Sequence, residues 1–73
     1  MARREVRSEI TGSLWKIEKQ PGEVVAEDDV LMILESMKME IPIMAEVAGT
    51  LREILAKEGE PVAEGQVVAV IET

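Results

Sequence analysis

Residues Pro21-Gly22-Glu23-Val24-Val25-Ala26-Glu27 return 37 positions later as Glu58-Gly59-Glu60-Pro61-Val62-Ala63-Glu64. Shifting the chain by that interval, without gaps, lays residues 6–36 on residues 43–73. Identical pairs include Glu9 with Glu46, Gly12 with Gly49, Leu14 with Leu51, Ile17 with Ile54 and Val30 with Val67. Conservative pairs such as Ile10 with Val47, Ser13 with Thr50, Ile33 with Val70 and Leu34 with Ile71 fill the spaces between them. Shared acidic and aliphatic composition produces scattered matches, but it does not readily hold two glycines and a Val-Ala-Glu triplet in one register. Self-similarity at a fixed period marks two copies of one supersecondary unit, neither able to cover its apolar face alone.

The unit reads as β. Leu14-Trp15-Lys16-Ile17-Glu18 and Leu51-Arg52-Glu53-Ile54-Leu55 are short strand candidates, and residues 30–34 and 67–71 are branched-aliphatic runs short enough for buried strands. Gln20-Pro21-Gly22-Glu23 suits a type II turn, with Pro second and Gly third. Gly59 repeats the positive-φ position in the second half, although Glu58 replaces the proline. Asp28 aligns with Gly65, and Asp tolerates the left-handed conformation better than most residues, so a second shared turn is expected there. A helix over 51–57 is disfavoured because its counterpart segment ends in Pro-Gly. The expected architecture is all-β, a compact sandwich or flattened barrel in which the two units pack together with approximate two-fold symmetry.

Composition bounds what such a fold can do. Seventy-three residues make one domain, read here as 1–73. A chain of this length buries only about 60% of the surface it exposes when unfolded. The chain is 47% hydrophobic, with Trp15 the single aromatic residue and no cysteine, so aliphatic packing must hold it. The net charge of −7 argues against a nucleic-acid partner, which would call for Lys and Arg clusters. Arg3, Arg4 and Arg7 lie near an end expected to fray. The longest purely apolar runs are far too short to cross a bilayer. No apolar segment of a secretory signal follows Met1, so a cytosolic location is expected. Without His, Cys or Tyr, and without a nucleophile–base pair or phosphate-cradling glycine loop, the chain has no constellation for catalysis of its own.

The joint between the two units is the segment 37–42, expected to form a hairpin or tight turn, and Lys38 sits in it. The symmetry mates of Lys38 are position 1, at one chain end, and position 75, just beyond the other, which places the lysine at one pole and the termini together at the other. Taken alone, a lysine between two methionines is a solvated strand residue, with Met37 and Met39 packed on the opposite face. The joint, however, lacks the Gly or Asn usual in a tight hairpin, so its sequence answers to something besides turn formation.

Glu35-Ser36-Met37-Lys38-Met39-Glu40 resembles the biotin attachment motif of biotin carboxyl carrier domains, whose core is Met-Lys-Met. The resemblance extends from about Val6 to Glu72. Thr11-Gly12-Ser13-Leu14-Trp15-Lys16-Ile17 is similar to the family's first glycine-containing strand, and Pro21-Gly22-Glu23-Val24-Val25 resembles its Gly-Asp/Glu-x-Val turn. The chain looks like one of the small free-standing biotin/lipoyl attachment proteins. That likeness implies a flattened barrel of two interlocked four-stranded sheets with the modified lysine on a hairpin. Ser8-Glu9-Ile10-Thr11 departs from the family's usual Ala-Pro-Met-Pro, and no insertion between Gly22 and Val30 is long enough for a protruding thumb.

What the resemblance implies is a covalent carrier with biotin on Lys38. A biotin protein ligase would attach it, and the loaded arm would shuttle carboxyl groups between a biotin carboxylase and a carboxyltransferase. A lysine amine is mostly protonated at neutral pH and is then a poor nucleophile, so activation must come from the ligase. Met37 and Met39 serve either as flexible contacts for the ligase or as packing beneath the hairpin. Lipoyl carriers share the fold, and Glu35-Ser36 matches the acidic-hydroxyl pair before the lysine in some of them, which keeps lipoate and a lipoate-attaching enzyme as the alternative. An unmodified, non-covalent interaction module is a third reading. The glycines and Trp15 are read as structural, Trp15 as core or partly exposed packing.

Overall fold

Eight strands follow one another in the computed structural model, which describes Ala2–Thr73, and no helix occurs among these residues. They are β1 (Arg3–Arg7), β2 (Gly12–Ile17), β3 (Val24–Val25), β4 (Val30–Ser36), β5 (Met39–Met44), β6 (Gly49–Ile54), β7 (Pro61–Val62) and β8 (Val67–Glu72). Two four-stranded antiparallel sheets result, ordered β1-β8-β6-β3 and β5-β4-β2-β7. Advancing by 37 residues takes β2 onto β6 and β3 onto β7, and β1 and β4 onto β5 and β8 within one residue at their ends. Each sheet therefore mixes strands from both halves of the chain. The irregularities match as well: β2 bulges at Trp15 against β4, and β6 bulges at Arg52 against β8.

Backbone hydrogen bonds between the halves come in reciprocal pairs. The Gly22 amide donates to the Leu51 carbonyl, and the Gly59 amide to the Leu14 carbonyl, both at 2.7 Å. The Leu51 amide donates to Glu23 and the Leu14 amide to Glu60, both at 2.9 Å. Farther along, Asp28 donates to Ala45 at 2.7 Å and Gly65 to Ser8 at 2.8 Å. Each half thus supplies the partners that the other half's turn amides need, because a buried amide left unpaired is costly.

The turns take the expected form. Glu23 N–H donates to the Gln20 carbonyl across Gly22, which has φ +99°, and Glu60 donates to Lys57 across Gly59, at φ +89°. Side chains lock both loops from within: Glu23 accepts from the Gln20 amide and Glu60 from the Lys57 amide. Asp28 adopts φ +72° where Gly65 adopts +85°, and the Asp29 and Gln66 side chains accept from the amides of Ala26 and Ala63.

The core is drawn from matched positions: Leu14 with Leu51, Leu34 with Ile71, Leu31 with Val68 and Val25 with Val62 are all buried. At Met32 and Ala69 a large residue faces a small counterpart, so the two contributions differ in volume while their positions agree. Each fully buried Leu or Ile contributes about 1.5–3 kcal/mol. The first glycine of each unit is needed for close approach. A Cβ on Gly49 would lie 2.5 Å from the Glu72 carbonyl oxygen and 2.8 Å from the Ile71 Cγ2.

Two sequence expectations change. Arg3, Arg4 and Arg7 do not lie at a frayed end: they form β1, paired with β8, and Arg3 bonds Glu53 at 2.6 Å. The reason is the symmetry itself, which gives residues before position 6 the edge place that β5 fills in the other sheet. The joint is narrower than 37–42, since residues 39–42 belong to β5. Of the two readings of Trp15, partly exposed packing holds, since it is 47% exposed. The terminal residues do meet, Thr73 donating to Ala2 at 2.8 Å and Ala2 to Thr73 at 3.2 Å. Residues 6–10 and 41–46 meet across one cleft of about 230 Å³, from which β1 leads to the terminal pair and β5 to the hairpin.

Gly49→Ala is expected to destabilise the protein by about 1–3 kcal/mol, because the clash falls on backbone that cannot swing aside. A lower urea midpoint with an unchanged slope is the signature, and an unchanged midpoint would show that the sheets have slack there.

Candidate functional site

The hairpin between β4 and β5 closes on Ser36 opposite Met39, leaving a loop of Met37 and Lys38 alone. Their φ values are +51° and +64°. Positive φ at both central residues is the demand of a type I′ turn, the form whose twist matches that of the flanking strands. Asn-Gly meets this demand cheaply, whereas Met and Lys each carry a Cβ against the following carbonyl at about 1–2 kcal/mol. The turn is therefore locally unfavourable, and the ladder beneath it must hold it.

That ladder is firmly built. Six residue pairs from Val30 opposite Met44 to Ser36 opposite Met39 bind β4 to β5. On its other side β4 is braced by β2, where Gly12 is indispensable: a Cβ there would stand 2.7 Å from the Glu35 carbonyl oxygen and 3.2 Å from the Ser36 Cβ. The Ser36 hydroxyl donates to the Thr11 carbonyl at 3.0 Å, and the Thr11 hydroxyl accepts from the Glu64 amide at 3.1 Å. Thr11 thereby ties the hairpin base to the second half of the chain. Sequence reasoning singled out neither this link nor the closeness of Gly12. The matched glycine at 49 was the available signal, since neither glycine has a positive φ to account for it.

Lys38 is exposed at the apex and forms no ion pair among the described residues. Met37 is 92% exposed and Met39 62% exposed. Packing beneath the hairpin, one of the two expectations for these methionines, is therefore overturned. Met37 leaves the strand alternation because it lies in the turn, and Met39 follows directly upon it. Glu35 and Glu40 stand directly opposite each other across the two strands, a like-charge arrangement that weakens a hairpin. The apex thus presents one accessible amine between two flexible thioethers, on a rigid mount with acidic flanks. Such an arrangement can offer the amine to an external acyl donor.

Comparison with known proteins points the same way. A family model described as biotin-requiring enzyme matches residues 5–71. The biotinylated protein TB7.3 homolog of Mycobacterium leprae is 46% identical over 41 residues, 56% of this chain and 58% of that protein. The biotin/lipoyl attachment protein of Bacillus subtilis is 45% identical over 40 residues, 55% of each. The matches span less than two thirds of these curated relatives. Among solved structures, the urea carboxylase of Kluyveromyces lactis superposes with a TM-score of 0.93 at 36% identity, covering 99% of this chain and 6% of that one. The lipoyl domain of the 2-oxoglutarate dehydrogenase complex from Azotobacter vinelandii superposes at 0.73 with 28% identity, covering 86% and 80%.

Relieving the turn is expected to stabilise the fold. Met37→Asn combined with Lys38→Gly should raise stability by about 1 kcal/mol, read from the urea midpoint. An unchanged or lowered midpoint would show that Met37 and Lys38 occupy positive φ without strain.

Proposed function

The chain belongs to the family described as biotin-requiring enzyme and has the role of a covalent carrier, and on that premise we propose that Lys38 is its attachment point and biotin its cargo. The observation that carries the assignment is the exposed Lys38 at φ +64°, flanked by exposed Met37 and Met39 on a two-residue turn. In attachment, the deprotonated Lys38 Nζ attacks the acyl carbon of biotinyl-adenylate held by a biotin protein ligase. An N–C amide bond forms, the bond from carbon to the phosphate oxygen breaks, and AMP leaves while the amine loses its proton. Among the described residues none hydrogen-bonds to or pairs with the Lys38 amine to activate it, so the ligase supplies the activation.

The chain's own part is presentation. The braced ladder of β4 and β5 fixes the base of the arm, so mobility resides in the lysine stem and the group beyond it. Tethering raises the effective concentration of that group at two separate catalytic sites, a biotin carboxylase and a carboxyltransferase. When bound, biotin supplies a ring nitrogen that takes up and gives back a carboxyl group. Met37 and Met39 act in recognition by the ligase, as polarizable side chains that adapt to its surface. Residues 1–73 act as one attachment domain, and the setting is cytoplasmic.

Lipoate is the second reading, favoured by the Glu35-Ser36 pair and by the likeness to a lipoyl domain. Intact-mass measurement separates the two after co-expression with a biotin protein ligase or a lipoate-attaching enzyme, each with its free acid. One biotinyl group per chain is expected, and none in Lys38→Arg. An unmodified folded chain with the ligase would sink the biotin assignment, and a lipoyl adduct would establish the alternative. Met37→Ala with Met39→Ala should leave stability within about 0.5 kcal/mol, as exposed positions do, while slowing biotinylation. Lost stability with normal loading would instead make the methionines structural. A domain fused after Thr73 should leave loading intact, since the termini lead away from the hairpin; loss of loading in a folded fusion would refute that geometry.

A further inference from the structure

Matched positions give each residue on the outer face of one sheet a counterpart on the other, and the two faces differ sharply in chemistry. On the β1-β8-β6-β3 sheet, Arg3, Arg7 and Arg52 pair with Glu53, Glu5 and Glu72 at 2.6, 2.8 and 3.8 Å. Beneath them Val70 is only 7% exposed. That face is a solvated mosaic of ion pairs covering its aliphatic centre, with little at stake in each pair.

On the hairpin sheet, Trp15 stands where the other face has Arg52, Met44 where it has Arg7, and Pro42 where it has Glu5. Trp15 is 47% exposed and Met44 45% exposed. Ile33, the counterpart of Val70, lies between Pro42 on β5 and Lys16 on β2. Its chain neighbours Met32 and Leu34 are fully buried, so Ile33 points outward, and it is half-buried. An apolar strip of Trp15, Ile33, Pro42 and Met44 thus crosses three strands of the sheet that carries Lys38. The strip is no requirement of the architecture, because charged residues serve at the places that correspond to Trp15, Pro42 and Met44.

We propose that this strip is the docking surface for the protein that acts on the group carried by Lys38, a partner presenting an apolar pocket for Trp15 rimmed by basic side chains. This rests on the carrier reading above. Lys16 is neutralised by Glu18 at 3.5 Å, whereas Glu35 and Glu40 have no ion-pair partner among the described residues. Acylation removes the charge of Lys38, so the uncompensated charge at the hairpin end of the face is negative. A basic rim both complements it and relieves the repulsion across β4 and β5. An exposed tryptophan with aliphatic neighbours is the usual centre of such a contact. Along β4 and β5 the strip gives way to Glu35 and Glu40 and then to the turn, so a partner that covers Trp15 and those carboxylates reaches the hairpin that carries Lys38.

The test uses the biotin-loaded full chain as substrate for the biotin carboxylase of its source organism, with ATP and bicarbonate. Wild type is compared with Trp15→Arg combined with Met44→Arg, replacements that the fold already accommodates at Arg52 and Arg7. Pro42→Glu, which copies the counterpart Glu5, is read in the same way if that double variant fails to fold. The proposal expects normal loading by the ligase, a KM for the loaded carrier raised about tenfold or more with kcat held, and a wild-type KM that rises with salt. Equal KM values for loaded wild type and variant overturn the docking surface, and a KM indifferent to salt overturns its basic rim. A wild-type dimer in sedimentation that the variant dissolves assigns the strip to a second copy and also overturns it. Failure of wild type to take up biotin overturns the carrier reading itself, and the docking surface with it.

Discussion

Reciprocal exchange of backbone hydrogen bonds between the two halves is the constraint on which the structure rests. The amides of Gly22 and Leu51 bond across the halves, and those of Gly59 and Leu14 repeat the arrangement at matching distances. Neither half can satisfy its own turn amides or cover its own apolar face, so the halves must form together. Every strand order in the two sheets follows from this, because a strand pairs across the symmetry as well as along its own unit. The result is a small domain dominated by contacts distant in sequence, which exchanges ease of folding for rigidity.

Rigidity is what the hairpin needs. Met37 and Lys38 hold a conformation suited to Asn and Gly, Met37 and Met39 face solvent, and Glu35 lies against Glu40. All three features work against local stability within six consecutive residues. They persist because the ladder from Val30 to Met44, the Gly12 approach and the Ser36–Thr11 bond over-determine the backbone beneath them. Departures from local preference that a well-braced scaffold tolerates are concentrated where side chains are retained for another purpose. Here the purpose consistent with the family is presentation of a single amine.

Much of this was legible in the residues, for physical reasons. Positive φ was readable at Gly22, Gly59 and Asp28, since few side chains accept that conformation, and period-37 matching paired Leu14 with Leu51 and Leu34 with Ile71, all of which the fold buries. The motif around Lys38 and the missing Asn-Gly at its turn pointed to the same six residues that the fold singles out. What could not be read was whatever depended on residues distant in sequence. The edge strand at Arg3–Arg7 has no apolar alternation and lies mostly before the aligned window, so its pairing with β8 is a consequence of symmetry rather than of propensity. The need for Gly12 arises from a carbonyl 23 residues away, at Glu35. The exposure of Lys16 beside the exposed Trp15 arises from a bulge, because plain alternation after the buried Leu14 would turn Lys16 inward.

The symmetry also explains how one domain acquires a single exposed hairpin pole. Two equivalent ends are generated by the repeat: the termini meet at one through the Ala2–Thr73 pair, and a two-residue turn closes the other. Stability demands the same of both halves in the interior, and there the residues agree closely. On the outer faces it demands little, and there they diverge: charges on the terminal sheet, apolar side chains on the hairpin sheet. A duplicated fold thus contains its own control, since a residue that differs from its structural counterpart is not dictated by the fold. By that criterion the face that leads to the hairpin is distinctive, and the turn at Met37 and Lys38 stands apart for another reason, having no counterpart within the repeat.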